Sequence, residues 1–136
     1  MLKKILIIIG IIIGIFIIIA VVFIIKMRPV FEEQKQVRKM EITDIDLTKV
    51  QDGNYQGDFT YAGFTFSVEV GVKNHKIESI KIVNNMGASH AKQAEGVVER
   101  IIQKQSPNVD AVTGATTTSK AIMKAVENAL NKGIQK

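Results

Sequence analysis

Residues 109–121, VDAVTGATTTSKA, set Thr113, Thr116, Thr117, Thr118 and Ser119 around Gly114 and Ala115, directly ahead of a run with helical periodicity. A loop entering a helix presents about four unpaired N–H groups and a partial positive charge, which suits an anion. Gly114 permits close backbone approach and Ala115 keeps the side-chain volume low, so the predicted chemistry is the holding of a phosphate-sized anion at the start of the last helix. Plainer readings stand beside it. Thr118 or Ser119 serves as an ordinary N-cap, which accounts for one hydroxyl of the five. A Walker loop fails, because GATTTSK lacks the second glycine and echoes that motif only in Lys120. Surface glycosylation fits poorly with a Gly-Ala centre and a helix immediately behind it.

The elements that position this loop follow from periodicity. Phe64, Phe66, Val68, Val70 and Val72 alternate with Thr65, Ser67, Glu69, Gly71 and Lys73, the period of a half-buried strand. Asn74-His75 turns the chain and KIESIKIV returns as a second strand, with a phase slip that predicts a bulge near Glu78-Ser79. Tyr55, Phe59 and Tyr61 share a phase on an earlier strand, and QDGNYQGDF before it reads as turn-rich, with Gly53 and Gly57 as breakers. From Ala88 to about Gln105 the period becomes helical, with Ala91, Ala94, Val98, Ile101 and Ile102 on one stripe, until Ser106-Pro107-Asn108 ends it. A last helix runs from Ser119 to about Asn131, with Ile122, Val126, Ala129 and Leu130 facing the sheet and Gly133 as its cap. The predicted fold is α+β, a short antiparallel sheet with two helices packed on one face, preceded by one transmembrane helix.

That transmembrane prediction rests on Ile5 to Ile25, which contains no polar side chain; about 21 residues at roughly 1.5 Å rise match the ~30 Å hydrocarbon core. A cleaved signal peptide has a shorter apolar region and a small-residue cleavage site, and VVFIIKMRP offers none. Gly10 and Gly14 form a GxxxG pair that would let two anchors approach, although glycine is common in membrane helices anyway. The expected divisions are a tail at 1–4, the span at 5–25, a juxtamembrane helix and linker at 26–50, and one domain at 51–136; the charged stretch from Pro29 to about Ile42 reads as a helical stalk.

The whole chain of 136 residues carries 18 basic and 13 acidic side chains. Lys3, Lys4 and Lys26 flank the span, so from Met27 onward 15 basic residues face 13 acidic ones with no basic stripe, which argues against nucleic acid. The absence of cysteine excludes disulfides, thiolate metal sites and a lipidated cysteine, and no metal-ligand cluster or pair of catalytic carboxylates is apparent. Counted alone, Lys26, Arg28, Lys35, Arg38 and Lys39 after the span lean slightly towards a cytoplasmic domain.

VDAVTGATTTSKAIMKAVENAL resembles the signature of FMN-binding domains such as those in the C subunit of the sodium-pumping NADH:quinone reductase and the G subunit of Rnf complexes. Asp110, two spacers and Thr113-Gly114-Ala115-Thr116 match that family's Asp-x-x-Ser/Thr-Gly-Ala-Ser/Thr pattern without a gap, while DGNYQG at 52–57 resembles its opening turn and VEVGVKNHKIESIKIV its hairpin. The resemblance implies covalent flavinylation: a flavin transferase takes FMN from FAD, with magnesium, and joins the phosphate to a threonine hydroxyl. Carried onto this chain, the acceptor is Thr116, with Thr118 as runner-up; Asp110, Thr113, Gly114 and Ala115 complete the recognition motif, and Thr117 and Ser119 stand with them around the phosphate. Asp110 has the alternative of capping its own loop. Asn85, Met86 or His90 would edge the flavin ring, though His90 reads equally as a solvated or capping residue, and His75 reads as structural. The implied function is an anchored electron-transfer module more than an independent enzyme, with a membrane redox partner and, against the charge count, a domain on the extracytoplasmic side of the cell membrane. Noncovalent FMN binding, or an anchored interaction domain holding another anion, are the alternatives.

Overall fold

Alternation of apolar and polar residues fixes the centre of the fold. The computed structural model describes residues 1–87 and 89–134 and divides them into two units, Met1–Glu33 and Gln34–Lys136. From Leu2 onward the first unit is helical, within α1 (Leu2–Lys39); its isoleucines are exposed on every side, the pattern of a helix whose solvent is lipid. It is the one helix among the described residues long and apolar enough to cross a membrane.

In the second unit, β1 (Gly53–Tyr61), β2 (Phe64–Lys73) and β3 (Lys76–Asn84) form an antiparallel meander in that order. The β2 strand has the predicted bounds. Asn74 and His75 both take positive φ, 50° and 60°, as the tight turn demands. Gly71 pairs with Ser79 and Val72 with Ile77, so Glu78 is the extra residue of the predicted bulge; a second irregularity lies at Val83, where Ser67 faces Asn84 and Val68 faces Ile82. Beside the first bulge, the Gln105 side chain accepts the Ile77 amide at 2.7 Å and donates to its carbonyl at 3.0 Å, as a neighbouring strand would.

The sheet buries Phe66, Val68, Val70 and Val72 on one face, against α4 (Thr116–Lys132) with Ile122, Met123, Val126 and Leu130. Its other face is polar along Asn54, Gln56, Asp58, Thr60, Glu69 and Lys81. Gly57 corrects the reading of it as a breaker: it lies inside β1, where a Cβ would come within 2.0 Å of the Ala125 carbonyl oxygen. Fully buried Ala121, Ala125 and Ala129 repeat every fourth residue and form the smooth helix face that permits this contact.

The predicted helix at 88–105 is two helices, α2 (Ser89–Ala94) and α3 (Gly96–Lys104), parted at Glu95. Ala88, its expected start, lies outside the described residues. Val97 joins Ala91, Ala94 and Ile101 in the buried set, while Val98 and Ile102 are half-buried. Gln105, at φ 58°, ends α3 in the left-handed conformation before Pro107 is reached. Gly133 caps α4 as expected, though in the right-handed region.

Within the second unit, the stretch from Gln34 to Val50 packs on the sheet-and-helix body. Val37, Ile42 and Val50 are buried, and the Thr43 amide donates at 3.1 Å to Glu127, a buried carboxylate that also takes Lys124 Nζ at 2.7 Å. Asp46 starts the 3₁₀ turn Leu47–Lys49; bonds from the Thr48 hydroxyl and amide hold its carboxyl below the ordinary value.

Candidate functional site

The hydroxyl-rich loop enters α4 earlier than its sequence suggests. The helix begins at Thr116, so Thr116, Thr117 and Thr118 form its first turn, where Ser119 had been expected to start it. Neither Thr118 nor Ser119 is the N-cap. That position belongs to Ala115, at φ −131° and ψ 35°, with no side-chain cap bond. The first intrahelical bond runs from the Ser119 amide to the Ala115 carbonyl at 2.9 Å, so the N–H groups of residues 116–118 precede the ladder.

The hydroxyls then divide by environment. Ser119 has no exposure and accepts the Val112 amide at 3.1 Å. Thr117 is buried and accepts from Arg38 Nε at 2.8 Å. Thr116 and Thr118 are half-buried, and among the described residues their hydroxyls enter none of the bonds that hold the loop, while Thr113 is exposed. Gly114 is exposed at φ 83°, a conformation that favours glycine and turns the chain into the helix.

Side chains from three helices hold the loop's main chain. Arg100 Nη1 donates to the carbonyls of Asp110 at 2.8 Å and Ala111 at 3.1 Å, and Gln93 Nε2 donates to that of Thr113 at 3.1 Å. The Ala115 amide closes the turn on the Val112 carbonyl at 3.0 Å. Asp110 is exposed and is held through its carbonyl oxygen; it lines an open cleft of about 470 Å³ with Arg100, Gln103, Lys104, Asn108 and Val109.

Two helix-to-strand bonds give the direction of α4 along β1: Asn128 Nδ2 to the Asp58 carbonyl at 2.9 Å and Lys132 Nζ to that of Gln56 at 2.6 Å. The helix runs antiparallel to the strand, so its first turn lies towards the Tyr61–Phe64 end of the sheet. Tyr61 stacks on Phe66 there, with ring centroids 5.5 Å apart. The large apolar side chains exposed on this unit, Phe64, Val83 and Met86, belong to that same end. Met86 takes φ 71°, unusual for a bulky residue, and the Asn84 and Asn85 side chains accept the amides of Met86 and Gly87. Asn85 Nδ2 also donates to Glu95. His90 is exposed on α2, and His75 Nδ1 lies 3.3 Å from the Leu47 carbonyl in its hairpin, as a structural residue would.

A helix start with three leading N–H groups, no side-chain cap and two half-buried hydroxyls suits a phosphate ester. The profile of the FMN-binding domain matches residues 61–131, slightly more than half of the chain. The chain belongs to the FMN-binding domain family. FMN is its cofactor, and the matched stretch holds the hydroxyl loop, α4 up to its last residue but one and most of the sheet. An uncharacterized protein of Treponema pallidum (strain Nichols) is similar to this FMN-binding chain, with 34% identity over 88 residues, 62% of this chain and 24% of the relative. The chain thus spans about a quarter of that relative's length. The site partners that sequence reading missed, Arg38, Gln93 and Arg100, lie 79, 20 and about 10 positions from the loop residues they hold. No local pattern marks them.

Proposed function

We propose that this FMN-binding domain carries its flavin covalently, as a phosphodiester on Thr116, and serves as a membrane-anchored electron carrier. The observation that carries the reading is the start of α4: Thr116 is its first residue, half-buried, beside a position that no side chain caps. A phosphodiester there keeps one negative charge next to the N–H groups of residues 116–118. That placement contributes about 0.3–2 kcal/mol, too little to retain a flavin, so the covalent bond supplies retention. Thr113 and Thr118 line the phosphate, and Gly114 with Ala115 leaves room for it. Thr117 and Ser119, whose oxygens already accept from Arg38 and Val112, shape the turn around it. The ring would lie over the exposed apolar end of the sheet, near Phe64 and Met86, with Asn85 and His90 as neighbours at its edge.

When bound, FMN supplies reversible electron uptake; the chain's part is to orient the ring and set its potential. A bilayer-spanning 5–25 segment would hold the domain beside a membrane redox partner, with the domain on the extracytoplasmic side and a flavin transferase required for maturation. Protein made with the transferase is expected to show an intact-mass increment of about 438 Da, FMN less water, and in-gel flavin fluorescence that survives denaturation. Thr116→Ala should lose both, and Thr118→Ala should keep both. Flavin that washes out in denaturant marks noncovalent binding instead, and a retained adduct in Thr116→Ala moves the acceptor elsewhere. Protease accessibility of the domain in intact cells reads its side.

A further inference from the structure

Four main-chain groups between Asp110 and Thr113 are held by side chains from elsewhere in the fold: the carbonyls of 110 and 111 by Arg100, the amide of 112 by Ser119, and the carbonyl of 113 by Gln93. Lys104 Nζ extends the series to the Asn108 carbonyl at 2.7 Å. A loop ordinarily satisfies these groups with water and samples many conformations. Here α2, α3 and α4 each donate a side chain to it, and Arg100 and Gln93 are exposed residues whose bonds run to this loop. Arg100 Nη1 bridges two consecutive carbonyls, which requires them to point the same way and fixes the peptide orientation after Asp110. From there the chain reaches Gly114 and delivers Thr116 at the helix start.

We infer that Arg100 and Gln93 are positioning residues for flavin attachment: they hold residues 110–113 in the conformation that the modifying enzyme reads before any flavin is present. The inference rests on the proposed attachment at Thr116. In the step concerned, the Thr116 oxygen forms a bond to the flavin-side phosphorus of FAD, the pyrophosphate bond breaks, AMP departs with the bridging oxygen, and the hydroxyl proton passes to a base of the transferase. An enzyme that needs one loop conformation meets only the fraction of substrate already in it, so loosening the loop raises its apparent KM in inverse proportion to that fraction while leaving the committed step unchanged.

The test uses the full chain, a flavin transferase and FAD with magnesium, and follows the mass increment over time. In Arg100→Ala and Gln93→Ala the KM for the protein substrate should rise about ten-fold, with kcat within about two-fold of wild type. Amide hydrogen exchange at Val112 and Ala115 should accelerate in the unmodified variants, while their melting temperatures stay near wild type. Arg100→Lys, which can still hold one carbonyl, should recover part of the KM. Unchanged KM in both alanine variants, with wild type modified normally, overturns the inference alone. Wild-type protein that accepts no flavin overturns the attachment and this inference together.

Discussion

Ser119 and Thr116 lie within one turn of the same helix and meet different surroundings. The first is fully buried and committed to the Val112 amide; the second is half-buried at the helix start. Their sequence context, four threonines and a serine in one cluster, conceals that difference, because hydroxyl side chains look alike until tertiary packing assigns each a neighbour. The same holds for Glu127. In sequence it is one charge on a helix; in the fold it is a buried acceptor that fastens the Thr43 amide and Lys124. Glu127→Ala leaves that amide without its partner and should cost about 1–3 kcal/mol by urea denaturation. Glu127→Gln, which keeps an oxygen for the amide, should cost less, and equal losses would show that the amide bond is not what matters.

At the scale of elements, legibility depended on whether periodicity or contact decides the structure. The β2 strand was readable to the residue because both faces differ in polarity along its whole length, and the bulge at Glu78 was readable because it breaks that phase. The start of α4 was placed three residues late: threonine has modest helix propensity and favours turns, and the packing of Thr117 and Ser119 outweighs that preference. The break at Glu95 was marked only by the glycine beside it, Gly96, and the role of Gly57 had no local sign. At Gly57, α4 lies close against β1, and the nearest atoms a methyl group would strike are backbone, at 2.0 Å and 2.5 Å, which no side-chain rotation relieves. Gly57→Ala should therefore destabilise by more than the roughly 1–3 kcal/mol typical of core overpacking, measured by thermal melting. A near-neutral result would mean that α4 can lift from the sheet.

For the molecule as a whole, the apolar segment and the FMN-binding domain were both legible, the first from composition and the second from the motif at 110–116. What composition could not give was how far the folded body extends before the sheet: Val37 and Ile42 are buried, and the second unit begins at Gln34. The bare helix start bears on the fate of this body in the cell. An N-terminal turn lacking a side-chain acceptor forgoes about 0.5–2 kcal/mol, and a phosphate ester on Thr116 would restore an acceptor of just that kind. Loaded protein should consequently melt several degrees above the unloaded form, measurable by calorimetry on the two species separated by mass. Differences of this size change how often a chain opens to proteases, so immature copies would be culled faster than finished ones, and attachment of the pigment would double as a certificate of survival.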